Sequence, residues 1–203
     1  MSFQHLLKAN PLLWQGKQFY SQAKTISTGF TELDTALPTE GWPLGSLIEV
    51  LTPNFYSGAL RLFLPALAEI SRQQAQLAWI NPPCTPYAPG LLQHGVDTQQ
   101  LLVIEAKDTW KDPYWCMEKL LRTDRCGAGL LWCKQPNIKS LRRLQLAAEY
   151  GGSLGVIFCQ TIQPHSPATT RLFVKTDAAK SIQVSILKAR GTHQRATLPI
   201  CFD

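Results

Sequence analysis

A continuous apolar run, Leu47-Ile48-Glu49-Val50-Leu51, runs into the turn-rich loop Thr52-Pro53-Asn54-Phe55-Tyr56-Ser57-Gly58. An amphipathic helical pattern follows at once. A run of that kind suits a central strand of a parallel sheet, covered on both faces. Strand, loop and helix in this order form the context in which a phosphate-binding loop sits. This loop is not such a loop. No lysine occurs between Lys24 and Lys107, and Arg61 is the only cation nearby.

The rest of the chain repeats the alternation. Thr28 to Leu37 reads as a short helix, with Thr28 or Thr31 as its cap and Leu33 and Leu37 on one face. Pro38 ends it, and Gly41 and Gly45 punctuate the turn into the strand. Leu60, Phe63, Leu64, Leu67 and Ala68 recur with helical period, which requires Pro65 to lie in the first turn or kink the helix. Gln76 to Ile80 is a second strand, closed by Pro82-Pro83, and Leu101 to Ile104 a third. Asp112-Pro113 is a helix start, with Met117 and Leu121 inward. Leu130 to Cys133 is a fourth strand. Ile138, Leu141, Leu144 and Ala148 mark a helix with Arg142 and Arg143 outward, ended by Gly151-Gly152. Leu154 to Cys159 is a fifth strand; Arg171 to Lys175 and Ser181 to Leu187 are two more, followed by a basic tail. Strands alternating with helices predict an α/β sheet, largely parallel, with an antiparallel edge at the end.

At 203 residues the chain is most simply one domain with one substantial core. We divide it into an N-terminal arm, residues 1–24, and a core domain, residues 25–203. Leu6, Leu7, Leu12, Leu13 and Trp14 make the arm too apolar for a free tail, and Pro11 interrupts any helix there. No apolar run approaches the ~20 residues of a membrane span. The six cysteines show no C-x-x-C pair, which fits buried thiols of a reducing compartment. The four histidines show no metal-ligand spacing with them. The net charge of +6 is unevenly placed, because Lys and Arg outnumber Asp and Glu only from Lys107 onward. That asymmetry fits an anionic partner or an ordinary solvated basic surface.

Residues Ser27-Thr28-Gly29, Leu33-Asp34, Ala36-Leu37, Gly41, Pro43, Gly45 and Glu49 read without a gap against the start of a RecA recombinase core. Further features are Leu13-Trp14-Gln15-Gly16, Gly41-Trp42-Pro43-Leu44-Gly45, Ala78-Trp79-Ile80-Asn81-Pro82-Pro83 with Tyr87-Ala88-Pro89, and the helix Leu141 to Glu149. On these the chain resembles, over nearly its whole length, the ImuA family, RecA-like accessory proteins of SOS-induced translesion synthesis. Its middle, Leu62 to Trp132, resembles the cell-division inhibitor SulA more weakly.

The resemblance implies a RecA-like P-loop NTPase core fold with a degenerate nucleotide site. Phosphate binding needs backbone N–H groups and a lysine, and magnesium needs a Ser or Thr hydroxyl and a carboxylate. Aligned to RecA, the loop glycines fall at Thr52 and Ser57 around Pro53, the lysine at Gly58 and the hydroxyl residue at Ala59. The catalytic glutamate falls at Pro83, and the metal-orienting aspartate near Trp132-Cys133, where no carboxylate stands between Asp124 and Glu149. Three separate losses predict a protein that is not an enzyme, with no cofactor and no metal.

The two loops that grip DNA in RecA-like filaments fall at Gln135-Pro136-Asn137 and at Gln163 to Thr170, and both look trimmed. Arg171, Lys175, Lys188, Arg190 and Arg195 are candidate phosphate contacts, or charges that discourage edge pairing. Leu12, Leu13 and Trp14 are candidate partner-binding residues, or close the protein's own core. The partners implied by resemblance are an ImuB-like polymerase homologue, a DnaE-type polymerase and RecA, with DNA contact weak or indirect and no membrane. The implied location is the bacterial cytoplasm, at the nucleoid when engaged. The alternatives are a SulA-like inhibitor of FtsZ, whose type lacks the stretch Ser27 to Glu49, and an ATP-dependent recombinase, which the missing groups oppose.

Overall fold

The structure, a computed structural model, describes residues 24–106, 112–178, 181–191 and 195–202. The arm residues Leu12, Leu13 and Trp14 lie outside them.

The first described strand, β1 (Thr25–Ile26), pairs with β2 (Trp42–Pro43) as a small antiparallel ribbon. Between them lies helix α1 (Thr31–Ala36), which buries Leu33. Neither threonine caps it. Its N-cap is Phe30, which makes no side-chain cap bond. The Asp34 carboxylate instead reaches back, accepting from the Thr28 N–H at 2.9 Å and the Ser27 hydroxyl at 2.6 Å. The Thr28 hydroxyl is turned on Phe30, accepting its N–H at 3.1 Å.

The apolar run forms β3 (Ser46–Leu51), and a 3-10 turn, Ala59–Leu62, leads to α2 (Leu64–Arg72). Pro65 sits in the first turn of α2, where its missing N–H has no intrahelical partner to lose. That is why the α-helix begins at Leu64 and not at Leu60. β4 (Gln76–Ile80) follows, then α3 (Ala88–Gln93), β5 (Leu101–Ile104) and α4 (Pro113–Leu121). Asp112 caps α4, accepting from the Tyr114 N–H at 3.0 Å. β6 (Cys126–Trp132) leads to α5 (Ile138–Gly151), capped by Asn137 and closed by Gly152 in the left-handed conformation. β7 (Leu154–Cys159), β8 (Thr170–Ala178), β9 (Ser181–Ala189) and β10 (Thr197–Cys201) complete the described fold. Helix α3 and strand β10 escape the sequence reading. The first is a short helix with Pro89 in its first turn; the second is an edge strand that carries Pro199 in its middle, which the sequence pattern argues against.

One eight-stranded sheet has the order β10-β9-β8-β3-β7-β6-β4-β5. Strands β8, β3, β7, β6, β4 and β5 are mutually parallel, and β9 and β10 add an antiparallel edge. Alternate residues of β3 feed two cores. Ile48 and Val50 join α1 and α2 on one face, whereas Leu47 joins α4 and α5 on the other. Of the cysteines, Cys116, Cys126 and Cys159 are buried, but Cys84 and Cys201 are exposed, the first in the loop after β4 and the second at the end of the edge strand β10. No helix of the described residues is long and apolar enough to cross a membrane.

Candidate functional site

In an open α/β sheet, ligands bind outside the carboxyl ends of the strands where the strand order reverses. β3 ends at such a point, with β7 on one side and β8 on the other. The loop 52–58 occupies the crevice, and its polar groups are directed at one another.

Thr52 is fully buried, and its hydroxyl donates to the Asn54 carbonyl at 2.8 Å. The Ser57 hydroxyl, 2.6 Å away, must then be the donor to Thr52. The Ser57 N–H donates to the Asn54 carbonyl and the Tyr56 N–H to the Asn54 side-chain oxygen. Three outside groups fasten the loop. Thr176 donates to the Ser57 carbonyl at 3.1 Å, Gln160 to the Pro53 carbonyl at 3.3 Å, and the Tyr56 hydroxyl to the Pro83 carbonyl at 3.2 Å. A phosphate cradle points successive N–H groups outward at the anion. Here the N–H groups of Tyr56 and Ser57 bend back onto Asn54. Gly58, at the lysine position of the resemblance, takes φ +78° to start the 3-10 turn into Ala59. The nearby cation, Arg61, lies 3.8 Å over the ring of Phe202. Tyr56, Gly58, Arg61, Thr176, Ile182 and Phe202 line a small pocket of about 140 Å³.

The other two positions of the resemblance are Pro83 and Trp132-Cys133. After β4, Asn81 adopts φ +51°, and its side-chain oxygen accepts the Ala106 N–H at 2.7 Å. This ties the Asn81-Pro82-Pro83 corner to the exit of β5 and leaves Pro83 with a carbonyl only. At the end of β6, Trp132 stacks on Phe158 with centroids 4.9 Å apart and meets Trp79 edge-on at 5.7 Å. Phe158 meets Phe63, and Phe63 stacks on Trp42, so an aromatic series runs through the core beneath the crevice. Burial pushes the neighbouring Cys133 thiol up to about 11, despite a hydrogen bond with Tyr114 that lowers it. It is a protonated thiol at neutral pH.

Glu49 is the one charged side chain that is fully buried among the described residues. It lies opposite Arg171 in the β3–β8 register, and the Arg171 Nε donates to its carboxylate at 2.7 Å. The Cys159 thiol, 3.8 Å away, donates to the other oxygen. Burial, and then the Glu49 charge, raise the Cys159 pKa well above the usual thiol range. Arg171 also donates to the Gln163 carbonyl at 2.9 Å. Lys188 donates to the carbonyls of Ser166 and Ala168 at 3.2 and 2.7 Å. Burial holds Lys188 below the usual lysine range, and the Arg171 and Arg190 charges add to this. Two of the residues expected as phosphate contacts, Arg171 and Lys188, are therefore engaged within the fold. They fasten the segment between β7 and β8. Lys175, Arg190 and Arg195 are exposed on that side of the sheet. The Glu49–Arg171 pair escapes the sequence reading, although a glutamate inside the run Leu47 to Leu51 is itself a demand for a counter-ion.

Among the described residues no group of three or more His, Cys, Asp or Glu is placed to hold a metal ion.

The chain matches the family model of the RecA N-terminal domain over residues 7–126. It is 28% identical to Protein ImuA of Caulobacter vibrioides over 137 residues, which is 65% of this chain and 56% of that protein. It is 32% identical to Protein RecA of Bacillus thuringiensis and 33% identical to Protein RecA of Bacillus mycoides, each over 108 residues, 53% of this chain and 31% of those proteins. The chain thus spans about half the length of the ImuA relatives it matches and about a third of the RecA ones.

Proposed function

We propose that this chain, which belongs to the RecA N-terminal domain family, is a non-catalytic RecA-like accessory protein of SOS-induced translesion DNA synthesis. The observation that carries the reading is the closed loop 52–58. Its hydroxyls bond each other, its N–H groups bond Asn54, and glycine stands at the lysine position of the resemblance. Proline at position 83 and the Trp132–Phe158 stack remove the remaining catalytic groups. Similarity to Protein ImuA supports the placement in a mutagenesis system. In that reading the protein acts with an ImuB-like polymerase homologue and a DnaE-type polymerase, and modulates RecA. It works by contact and not by ATP turnover.

Two measurements on the full chain test this together. Titration calorimetry with magnesium-ATP should show no micromolar site. A strain lacking the chain should lose damage-induced mutagenesis while retaining homologous recombination. A tight magnesium-dependent site, or steady ATP turnover that disappears on altering Gly58, overturns the non-catalytic part. Unchanged induced mutagenesis overturns the translesion part.

A further inference from the structure

The outer face formed by α4 and α5 carries side chains that the fold itself does not use. Along α5, Ile138, Arg142, Leu146 and Tyr150 recur at intervals of four, a stripe of ~18 Å at 1.5 Å per residue. The inward side of the same helix buries Leu141, Leu144 and Ala148. On the outer stripe Leu146 is 59% exposed and Tyr150 75% exposed, and Trp115 of α4 is 48% exposed. Scattered single apolar residues are ordinary on a surface. These share one face, because α4 and α5 lie side by side and in step. Glu118 bonds Arg143 at mid-helix, and Arg122 packs over the Tyr150 ring at 5.0 Å near both C-terminal ends.

The charge of this face is mostly positive. Lys119, Arg122, Lys139 and Arg143 lie beside the stripe and Arg142 within it. The carboxylate among them, Glu118, is already bridged by Arg143 and Arg122. Glu149, at the far end of α5, accepts from Gln145. Lys119 lies 5.7 Å from the Trp115 ring, so cations flank both exposed aromatics.

We infer that the α4–α5 face docks an acidic amphipathic helix of a partner protein. Leu146 and Tyr150 serve as its apolar anchors, and the surrounding cations set its orientation. An amphipathic helix offers an apolar stripe at the same spacing, flanked by carboxylates. Complementary charge gives such a contact its rate and its register. Nucleic acid fits less well. Phosphates can use the cations, but they offer nothing to the aliphatic Leu146 and Ile138. The chain's own N-terminal residues fit poorly too, since they carry no carboxylate before Glu32. The inference rests on this face alone and does not depend on the translesion reading.

The test uses the full chain and three fluorescent probes in anisotropy titrations. One is an acidic peptide of about four helical turns, ~15 residues, with leucines on one stripe. The second has the same composition with the stripe scrambled. The third is a single-stranded oligothymidylate. The ordered peptide should bind, and Leu146→Ser or Tyr150→Ser should each weaken it about tenfold, the loss of one good anchor. Both variants should melt with the parent. The scrambled peptide should bind at least about tenfold more weakly. Equal binding of the scrambled peptide overturns the inference, because charge alone then accounts for it. Unchanged affinity in Leu146→Ser overturns it as well. So does an oligonucleotide that displaces the peptide and loses its own affinity in Arg142→Glu, since the face is then a nucleic-acid surface.

Discussion

The crevice at the end of β3 and the outer face of α4 and α5 treat polar and charged groups in opposite ways. In the crevice, the buried polar and charged groups turn inward. Thr52 and Ser57 bond each other, Arg171 is held by Glu49, and Arg61 rests on Phe202. On the outer face, cations stand around exposed Trp115, Leu146 and Tyr150. The difference shows how one fold fixes its buried polar groups and leaves its exposed ones open. A ligand site holds donors unsatisfied until the ligand arrives. Where no ligand meets them, buried polar groups are driven to find partners within the protein, because an unpaired one costs about 1–3 kcal/mol. A helix face in water carries no such penalty, so its chemistry is fixed by what it meets and not by the fold.

The sharpest way to break this contrast is to unpair the buried charges. Arg171→Met leaves the Glu49 carboxylate, 2% exposed, with only the Cys159 thiol. Removing one partner of a buried pair costs about 3–5 kcal/mol, whereas replacing both with apolar residues is often neutral or better. Urea unfolding should show a loss of that size in Arg171→Met and recovery of most of it in Glu49→Met/Arg171→Met. A loss under about 1 kcal/mol in the single variant would mean that the pair is solvated and the crevice less closed than its geometry states.

The next effect tests the loop backbone. Gly58 has φ +78°, and a Cβ placed there meets nothing nearer than Ile182 at 3.8 Å. The cost of Gly58→Ala is therefore conformational and not steric, roughly 1–2 kcal/mol. Removal of the Tyr56 hydroxyl should cost less. Tyr56 is 69% exposed, so water replaces the Pro83 carbonyl as its partner. Tyr56→Phe should cost about 0.5 kcal/mol, the lower end for a hydrogen bond. If Tyr56→Phe costs more than Gly58→Ala, the loop is held shut from outside by Tyr56 and not by its own turn.

Much of the fold was legible because the sequence signals were local. The run Leu47 to Leu51, Pro65 in a first turn, and the Asp112-Pro113 start each specify an element by themselves. The stretch without lysine between Lys24 and Lys107 was also legible, since it does not depend on folding. The closure of the loop was not. It depends on Thr176, Gln160 and Pro83, which sequence separation hides and the sheet brings to Ser57, Pro53 and Tyr56. The same is true of the basic residues after Arg171. Composition shows their sign, but only the β3–β8 register reveals that Arg171 faces Glu49 and is engaged.

The smallest expected effect bears on the other half of the comparison. If the α4–α5 face is fixed by what it meets, altering it should leave the isolated protein unchanged. Leu146 and Tyr150 are 59% and 75% exposed and belong to neither core. Truncation at such positions normally shifts stability by no more than about 0.5 kcal/mol. Leu141, one turn away on the buried side of the same helix, gives the internal contrast. Leu141→Ala should cost about 2–5 kcal/mol through lost burial and a cavity. Urea unfolding of Leu146→Ser, Tyr150→Ser and Leu141→Ala should therefore separate the two sides of one helix by several-fold. A loss above about 1.5 kcal/mol in Leu146→Ser would exceed what an exposed leucine can give. The stripe would then be packed against another part of the chain, and the outer face would be as closed as the crevice.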